Sequence, residues 1–543
     1  MGRLALHSFI TLALLFGLLF AVATAVLYAI EAPLWLALLA AVVVAGIQYV
    51  ISPFAIQWIH KIDWVAPESV DQGMASLMRS ICHERGLPEP RFGVIADGNP
   101  NAFTFGHYPG NARIVVTTGL LEVCDGPQRR AVLAHEMGHI VHWDFVVMTV
   151  AATVPLILYY IYRFGVRAGG GRRRDGGVVL LVAIGAFVAY LISQYIVLLL
   201  SRVREYYADD FSARTTRDPN ALATGLVKIA YGLARSRPPA EQQEQVAAIS
   251  VGMRPFGIFD ATYGKSMAVA TAGTWGLTDD GAQATAHAGE AMKWDLWNPW
   301  AFFLELRSTH PLPAKRIRAL GRLAQIAGQP AAFEIPQRPR ESYWDEFGMD
   351  LLVAALPLIG LLAGVAGGVA LGFGQAMPVT GFALIAFGLG LGWLGKLALV
   401  YPTRAFSPGR VAELVGEVKA SPVRPVPVRL EGEVIGRGIP GLYWGDDLVL
   451  QDSTGFILLQ YRQPIAALEF LFGLFRAESF IGQRVTVLGW YRRAPIPYLE
   501  LWKAHLPNGD THTSHNRGLA LALASLLSAG GLIVALLAMA AQV

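Results

Sequence analysis

Two cysteines, Cys82 and Cys124, are all that this chain of 543 residues carries. They are too few for a disulfide framework, and neither stands in a metal-ligand pattern. They suit a reducing compartment. Charge is scarce as well. Asp, Glu, Lys and Arg make up 15% of the residues, and the balance is only +4. A balance that small argues neither for nor against an acidic partner. In place of charge the chain has apolar surface: 54% hydrophobic residues and a mean hydropathy of +0.43. That composition excludes an ordinary soluble enzyme and points to a polytopic membrane protein.

A bilayer is crossed by about 20 apolar residues in a helix. Ser8–Ile30 and Pro33–Ser52 meet that length, with only Glu31 and Ala32 between them. Ala21-Val22-Ala23 resembles a signal-peptide cleavage site, but the apolar run continues past it and only Arg3 precedes it. The reading is an uncleaved helical hairpin. Asp144–Tyr162 and Val178–Leu200 follow as spans three and four, Met349–Phe373 and Met377–Tyr401 as five and six, and Gly518–Ala541 as seven. The domains this implies are a hairpin over 1–56 and a mainly soluble block over 57–347 that contains spans three and four. Spans five and six occupy 348–401, a β domain 402–517 and the last span 518–543.

The stretch the rest serves is Arg129 to Asp144, which contains His135-Glu136-Met137-Gly138-His139. On a helix the two histidines lie on one face, one turn apart, where they can grip one zinc ion. Glu136 can then reach a water on that metal and take its proton. The alternative is a surface helix carrying the motif by accident. Against it, the stretch is apolar between its charges, and buried imidazoles and carboxylates need a partner. His142 lies beyond the second histidine and reads as a packed or supporting residue.

The motif helix runs directly into span three. Span four returns to the same membrane face and ends in Ser201-Arg202-Val203-Arg204-Glu205-Tyr206-Tyr207-Ala208-Asp209-Asp210. Glu205 is thereby brought to the level of His135 and His139, and two histidines plus a carboxylate make a catalytic zinc site with a position left for water. Asp209, four residues on, can hold a ligand histidine through its other ring nitrogen. Before the motif, Val70–Arg85 reads as a helix stopped by Gly86-Leu87-Pro88, and Arg91–Ala96 as a strand. Ala112–Thr118 is a β-branched strand. It is either the edge that holds an extended peptide or an ordinary core strand.

These motifs resemble the gluzincin membrane metallopeptidases that include HtpX and the CAAX prenyl proteases. HEMGH and SRVREYYADD carry the resemblance. Asn101-Ala102-Phe103 is similar to the family's NAF-type element, and Ser308-Thr309-His310-Pro311 through Arg316-Ile317 to its STHP…RI element. The four motifs stand in the family's order over roughly 57–320, and the four-span layout is closer to HtpX. The resemblance implies zinc ligands His135, His139 and Glu205, Glu136 as general base and Asp209 in support. It also implies substrate contact at Asn101, Ala102 and Phe103, and transition-state support by His310 and Arg316. It further implies one zinc per chain, polypeptide substrates that are membrane or misfolded proteins, and a role in quality control. Two other readings remain, processing of lipidated peptides and a catalytically silent scaffold. The intact Glu136 counts against the scaffold.

Residues 240–300 look like an insertion before the His310 element, and Lys293–Leu306, which overlaps its end, is rich in Trp and Phe. That segment either lies at the membrane interface or packs on the catalytic block. Over Arg404–Arg517, five strands are expected at Val426–Val434, Leu448–Gln451, Phe456–Tyr461, Arg484–Trp490 and Tyr498–Trp502, with a helix at Ile465–Phe475. That order suggests a small OB-like barrel. Thirteen Lys and Arg against eleven Asp and Glu leave it without a basic stripe, so no nucleic-acid partner is expected. Protein contact, assembly or substrate gating is the expected role. The fold class is thus a polytopic α-helical membrane protein with an α+β gluzincin-type zinc peptidase domain and an appended OB-like barrel. A cytoplasmic site in a bacterial inner membrane is expected from Lys61, Arg129, Arg130, Arg202, Arg204 and Arg404 near span ends. Arg163, Arg167 and Arg172–Arg174 in the opposite loop pull the other way.

Overall fold

The computed structural model describes residues 62–231 apart from 98–99 and 170–175, and 281–541 apart from 334, 336–340, 376, 404–405, 439–446 and 495–496. Of the first 61 residues it describes scattered positions only. The N-terminal hairpin, Arg172–Arg174 and residues 240–280 of the insertion thus fall largely or wholly outside the described residues.

Asp71 caps α1 (Gln72–Arg85) by accepting from Met74 N at 3.0 Å, and Gly86 at φ +63° ends it. Four strands form a sheet in the order β1-β2-β4-β3: β1 (Asp63–Trp64), β2 (Arg91–Ile95), β3 (Ala102–Phe105) and β4 (Arg113–Thr117). The β-branched run is therefore interior: β4 pairs in parallel with β2 and antiparallel with β3, and Ile114 and Val115 are fully buried. This decides between the two readings of that strand, because the edge is β3. Thr117 N donates to Asn101 O at 2.9 Å, so Asn101, Phe103 and Phe105 turn their backbone groups toward β4. By the alternation of an antiparallel ladder, those of Ala102 and Thr104 point outward.

After α2 (Thr118–Val123) comes the motif helix α3 (Gly126–Val141). Asp125 and Gln128 form a capping box at its start. Such a cap contributes about 1 kcal/mol. The chain leaves α3 through Trp143, whose φ of +60° is left-handed, and enters α4 (Asp144–Gly169). α4 packs antiparallel on α5 (Gly176–Thr216), 41 residues long. At 1.5 Å per residue α5 measures about 60 Å, twice the ~30 Å hydrocarbon core. It is long enough to cross a bilayer and still carry its C-terminal part, with Glu205 and Asp209, against α3. α6 (Pro219–Tyr231), α7 (Gly281–Trp297), α8 (Pro299–Glu305) and α9 (Pro313–Ile326) complete this part. Its core draws Met78 from α1, Ile114 from β4, Leu133 and Met137 from α3 and Leu320 from α9.

The next spans are α10 (Trp344–Gly367) and α11 (Pro378–Val400). Then five strands close into a ring: β5 (Val426–Arg437), β6 (Leu448–Gln451), β7 (Phe456–Gln460), β8 (Arg484–Arg493) and β9 (Pro497–His505). The order around it is β5-β6-β7-β9-β8 and back to β5, with β7 and β9 parallel and the other pairs antiparallel. α12 (Ala466–Phe475) lies between β7 and β8 in sequence, and β10 (Thr511–Thr513) leads into the last helix, α13 (Asn516–Ala540). Five described helices are long and apolar enough to cross a membrane: Asp144–Arg163, Gly177–Thr216, Trp344–Gln375, Pro378–Val400 and Asn516–Ala540. They coincide with the expected spans three to seven, and the chain is an integral membrane protein.

The aromatic Lys293–Leu306 segment packs more than it floats. Trp294 is fully buried and donates to Ala420 O at 2.8 Å, and Asp295 pairs with the buried Arg493 of the barrel at 3.2 Å. Trp300 Nε1 reaches Asp350 of α10 at 2.8 Å, and the barrel's Arg424 pairs with the same Asp350. Phe302 and Phe303 alone stay exposed, with Phe303 stacked on Phe347. The segment is thus a strut joining peptidase block, barrel and membrane helix.

The membrane helices meet through glycines, as close packing in lipid demands. A Cβ on Gly388 of α11 would collide with the Gly360 carbonyl of α10, whereas one on Gly367 meets nothing within 4 Å. Gly388→Leu is expected to destabilise by at least the ~1–3 kcal/mol of ordinary overpacking. Gly367→Leu should stay close to wild type. The thermal midpoint of detergent-solubilised protein, read by size exclusion after heating, checks the contrast.

Candidate metal centre

Helix spacing does for α3 what the sequence expects. His135 Nε2 and His139 Nε2 lie 3.2 Å apart, with the rings nearly perpendicular. α5 adds Glu205, whose carboxylate oxygens lie 3.5 Å from His135 Nε2 and 3.6 Å from His139 Nε2. Atoms bound at ~2.0–2.2 Å around a tetrahedral centre are separated by about 3.3–3.5 Å, so this triangle has the dimensions zinc requires. Glu205 Oε2 is buried and has no partner of hydrogen-bond geometry among the described residues, although Arg316 Nη1 is 3.1 Å away. Burial works to strip the proton from His135, but the carboxylates of Asp209 and Glu205 that face its two ring nitrogens outweigh it and lift its pKa to about 10. The pocket therefore favours positive charge at that point, which a metal ion supplies.

Around the triangle lies a ring of supporting carboxylates. His135 Nδ1 faces Asp209 Oδ1 at 3.0 Å, and His139 Nδ1 faces Asp144 Oδ2 at 2.6 Å. Asp144 is held in turn by Arg204, which also donates to His142 O at 2.5 Å. Each imidazole thus has its second nitrogen fixed, turning Nε2 to the common point. Neither Asp144 nor Arg204 is expected at the site from the sequence, where they read as a span boundary and an orientation charge. Their signal was there: a lone acid at the foot of an apolar span, and a basic residue one position before Glu205. His142 packs against Tyr207 and Phe211, and burial pulls its pKa down to about 4, so it stays neutral and away from the triangle.

Of the remaining expected residues, Glu136 is buried, and Thr104 Oγ1 of β3 donates to its Oε2 at 2.7 Å. This contact ties the Glu136 carboxylate to the open strand edge. His310 Nδ1 lies 3.0 Å from Glu205 Oε1. Arg316 is held between two carboxylates, with Nε and Nη2 on Asp209 at 2.9 and 2.6 Å and Nη1 beside Glu205. Burial alone lowers its pKa, but Asp209 and Glu205 raise it above the ordinary arginine value, so it remains charged. Asn101 is buried, with Oδ1 lacking a hydrogen-bond partner among the described residues, while Ala102 packs into the core beneath α3. Phe103 stacks on Phe105 at 5.9 Å, on the sheet face away from α3. Its side chain is thus turned away from the histidines.

Removing the Asp144 contact should loosen His139 without unfolding the site. Asp144→Asn is expected to weaken zinc binding by roughly 10–100-fold. Activity should return at excess zinc, as followed with a competing chelating dye.

Two helices that converge a His-His-Glu triangle beside an open strand edge, at the foot of a membrane hairpin, define a membrane metallopeptidase. The sequence model of Peptidase family M48 matches residues 68–324. A protease HtpX homolog of Methanothermobacter thermautotrophicus is 38% identical over 233 residues, 42% of this chain and 87% of the relative. A second, of Methanosarcina acetivorans, is 35% identical over 41% of this chain and 74% of its own. A third, of Aeropyrum pernix, is 30% identical over 52% of this chain and 84% of its own. The crystal structure of Ste24p from S. mikatae aligns with TM-score 0.27 at 18% identity, over 41% of this chain and 59% of that one. The chain belongs to the HtpX-like proteases of family M48. Polypeptides are its substrates and a lipid bilayer its setting.

Proposed function

We propose that the chain is a one-zinc endopeptidase that cuts membrane proteins and damaged segments emerging from the bilayer, as part of membrane-protein quality control. The observation that carries the proposal is the convergence of His135, His139 and Glu205 within 4.8 Å of one another, at the membrane end of the α4–α5 hairpin. These three residues would hold zinc, which when bound polarises a scissile carbonyl and lowers the pKa of a water toward ~7. Glu136, steadied by Thr104, takes the proton from the attacking water and returns it to the leaving amine. The substrate lies extended along β3, pairing with the outward backbone groups of Ala102 and Thr104. Asn101 and Phe103 then flank the substrate strand from their places beside it. His310 faces the developing oxyanion. Arg316 acts as a positioning residue, because its donors are engaged by Asp209 and Glu205.

We read the appended barrel as OB-like. Supporting this are its ring order and the helix between the third and fourth strands. Its expected role is protein contact, assembly or gating. We assign the catalytic face to the cytoplasm of a bacterial inner membrane, on the strength of Arg129, Arg130, Arg202 and Arg204 around it, with Arg163 at the far end of α4 as the opposing term.

The test uses detergent-purified full-length protein with a casein-type reporter, a membrane-protein reporter and a prenylated C-terminal peptide. Cleavage of the membrane reporter supports the proposal. Cleavage of soluble chains alone, or of the prenylated peptide alone, overturns the substrate assignment.

A further inference from the structure

The barrel's helix α12 has the wrong surface for a helix facing water. Its sequence is Ala466-Ala467-Leu468-Glu469-Phe470-Leu471-Phe472-Gly473-Leu474-Phe475. Phe472 turns inward onto Tyr461 at 4.0 Å. On the other side Ile465, Leu468, Leu471 and Phe475 are exposed, Phe475 by 70%. Spacings of three, three and four residues put these four on one face. The one charge in the helix, Glu469, turns back to accept from Gln463 N at 2.9 Å. Arg476, exposed, follows at the C-terminal end. Monomeric soluble surfaces do not leave such a contiguous apolar face uncovered without a reason.

The neighbours of α12 indicate what covers it. Just before the helix, Gln463 donates from Nε2 to Thr513 O at 3.1 Å and accepts at Oε1 from His515 N at 3.3 Å, and Ser514 Oγ donates to Arg462 O. Beyond its middle, Phe472 lies 6.3 Å and Phe480 5.0 Å from the His512 ring. The approach to α12, its second half and the turn after it are thus all held against residues 512–515, and membrane span α13 begins at Asn516. A helix held along its length to so short a stretch lies level with the point where α13 enters the bilayer. An apolar face with an arginine at its end, at that level, has the chemistry of an interfacial helix.

We propose that α12 lies in the lipid headgroup region, with Ile465, Leu468, Leu471 and Phe475 inserted, and so seats the barrel on the membrane surface beside the peptidase site. The occupant of the face is the bilayer itself. Through Trp294 and the Asp295–Arg493 pair, the seated barrel then holds the peptidase block at a fixed height above the lipid.

The test labels full-length protein at Phe475→Cys with an environment-sensitive bimane; Cys82 and Cys124 are buried and stay unlabelled. Leu468→Cys is a second site on the same face. Asn508→Cys, in the exposed β9–β10 turn, is the reference. The protein is reconstituted into phosphatidylcholine–phosphatidylglycerol vesicles containing a shallow doxyl-lipid quencher. The expected result is quenching by lipid at 475 and 468 at least threefold above that at 508, with protection from aqueous iodide. Iodide quenching at 475 and 468 equal to that at 508 overturns the proposal, since the face then meets water. Protection from both quenchers also overturns it, since a protein then covers the face.

Discussion

Glu136→Gln abolishes cleavage and leaves the metal bound. The substitution keeps shape and burial, and the amide can still hydrogen-bond to Thr104, which contacts the Glu136 carboxylate at 2.7 Å. None of the triangle atoms of His135, His139 and Glu205 is altered. What disappears is a carboxylate able to take a proton from water and hand it to the leaving amine. Loss of a positioned general base costs roughly 10²–10⁴-fold. Turnover of a fluorogenic casein reporter should fall by at least that factor, while zinc measured by mass spectrometry stays at wild-type content. A variant that retained a tenth of the activity would remove Glu136 from the chemistry. A variant that lost its zinc would mean that Glu136 supports the site's structure instead.

The contrast between what the sequence made legible and what it hid follows the range of the interactions. His135 and His139 could be read from local spacing, since a helix brings i and i+4 together whatever surrounds it. Glu205 could be read at a distance of 66 residues because two consecutive spans must return the chain to the face it left. Asp209 followed from the same helix turn. The edge strand was harder. β-branched residues in Ala112–Thr118 announce a strand, but not which neighbours it takes, and β4 proved interior with β3 outside it. Asp144 was hidden for another reason. It heads an apolar run and reads as a span boundary, yet the left-handed turn at Trp143 aims it at His139. The strut role of Trp294 and Asp295 depends on a domain that begins over a hundred residues later, and no periodicity in the segment reports it.

Arg316→Met should expose how the site balances its charge. The guanidinium lies between Asp209 and Glu205, both buried, with two donors on the first and one beside the second. Methionine keeps much of the volume and removes the charge. Two buried carboxylates are then left facing each other across His135. Breaking a buried pair by removing one partner costs about 3–5 kcal/mol, because the remaining charge stays uncompensated. In chelated protein the full penalty applies, and the thermal midpoint should fall sharply below that of chelated wild type. With zinc saturating, the cation pairs with Glu205 and binding adds its own mass-action stabilisation, so the gap between variant and wild type should narrow. Arg316→Lys should lie between them, since an ammonium restores the charge but cannot form the two-pronged contact with Asp209. Thermal unfolding of the three proteins with and without chelator gives the comparison. Equal midpoints in chelated variant and wild type would mean that the carboxylates take up protons at no cost, and that Arg316 holds nothing in place. A gap that zinc fails to narrow would mean that the metal does not share Glu205 with the arginine, and the ligand assignment would have to move.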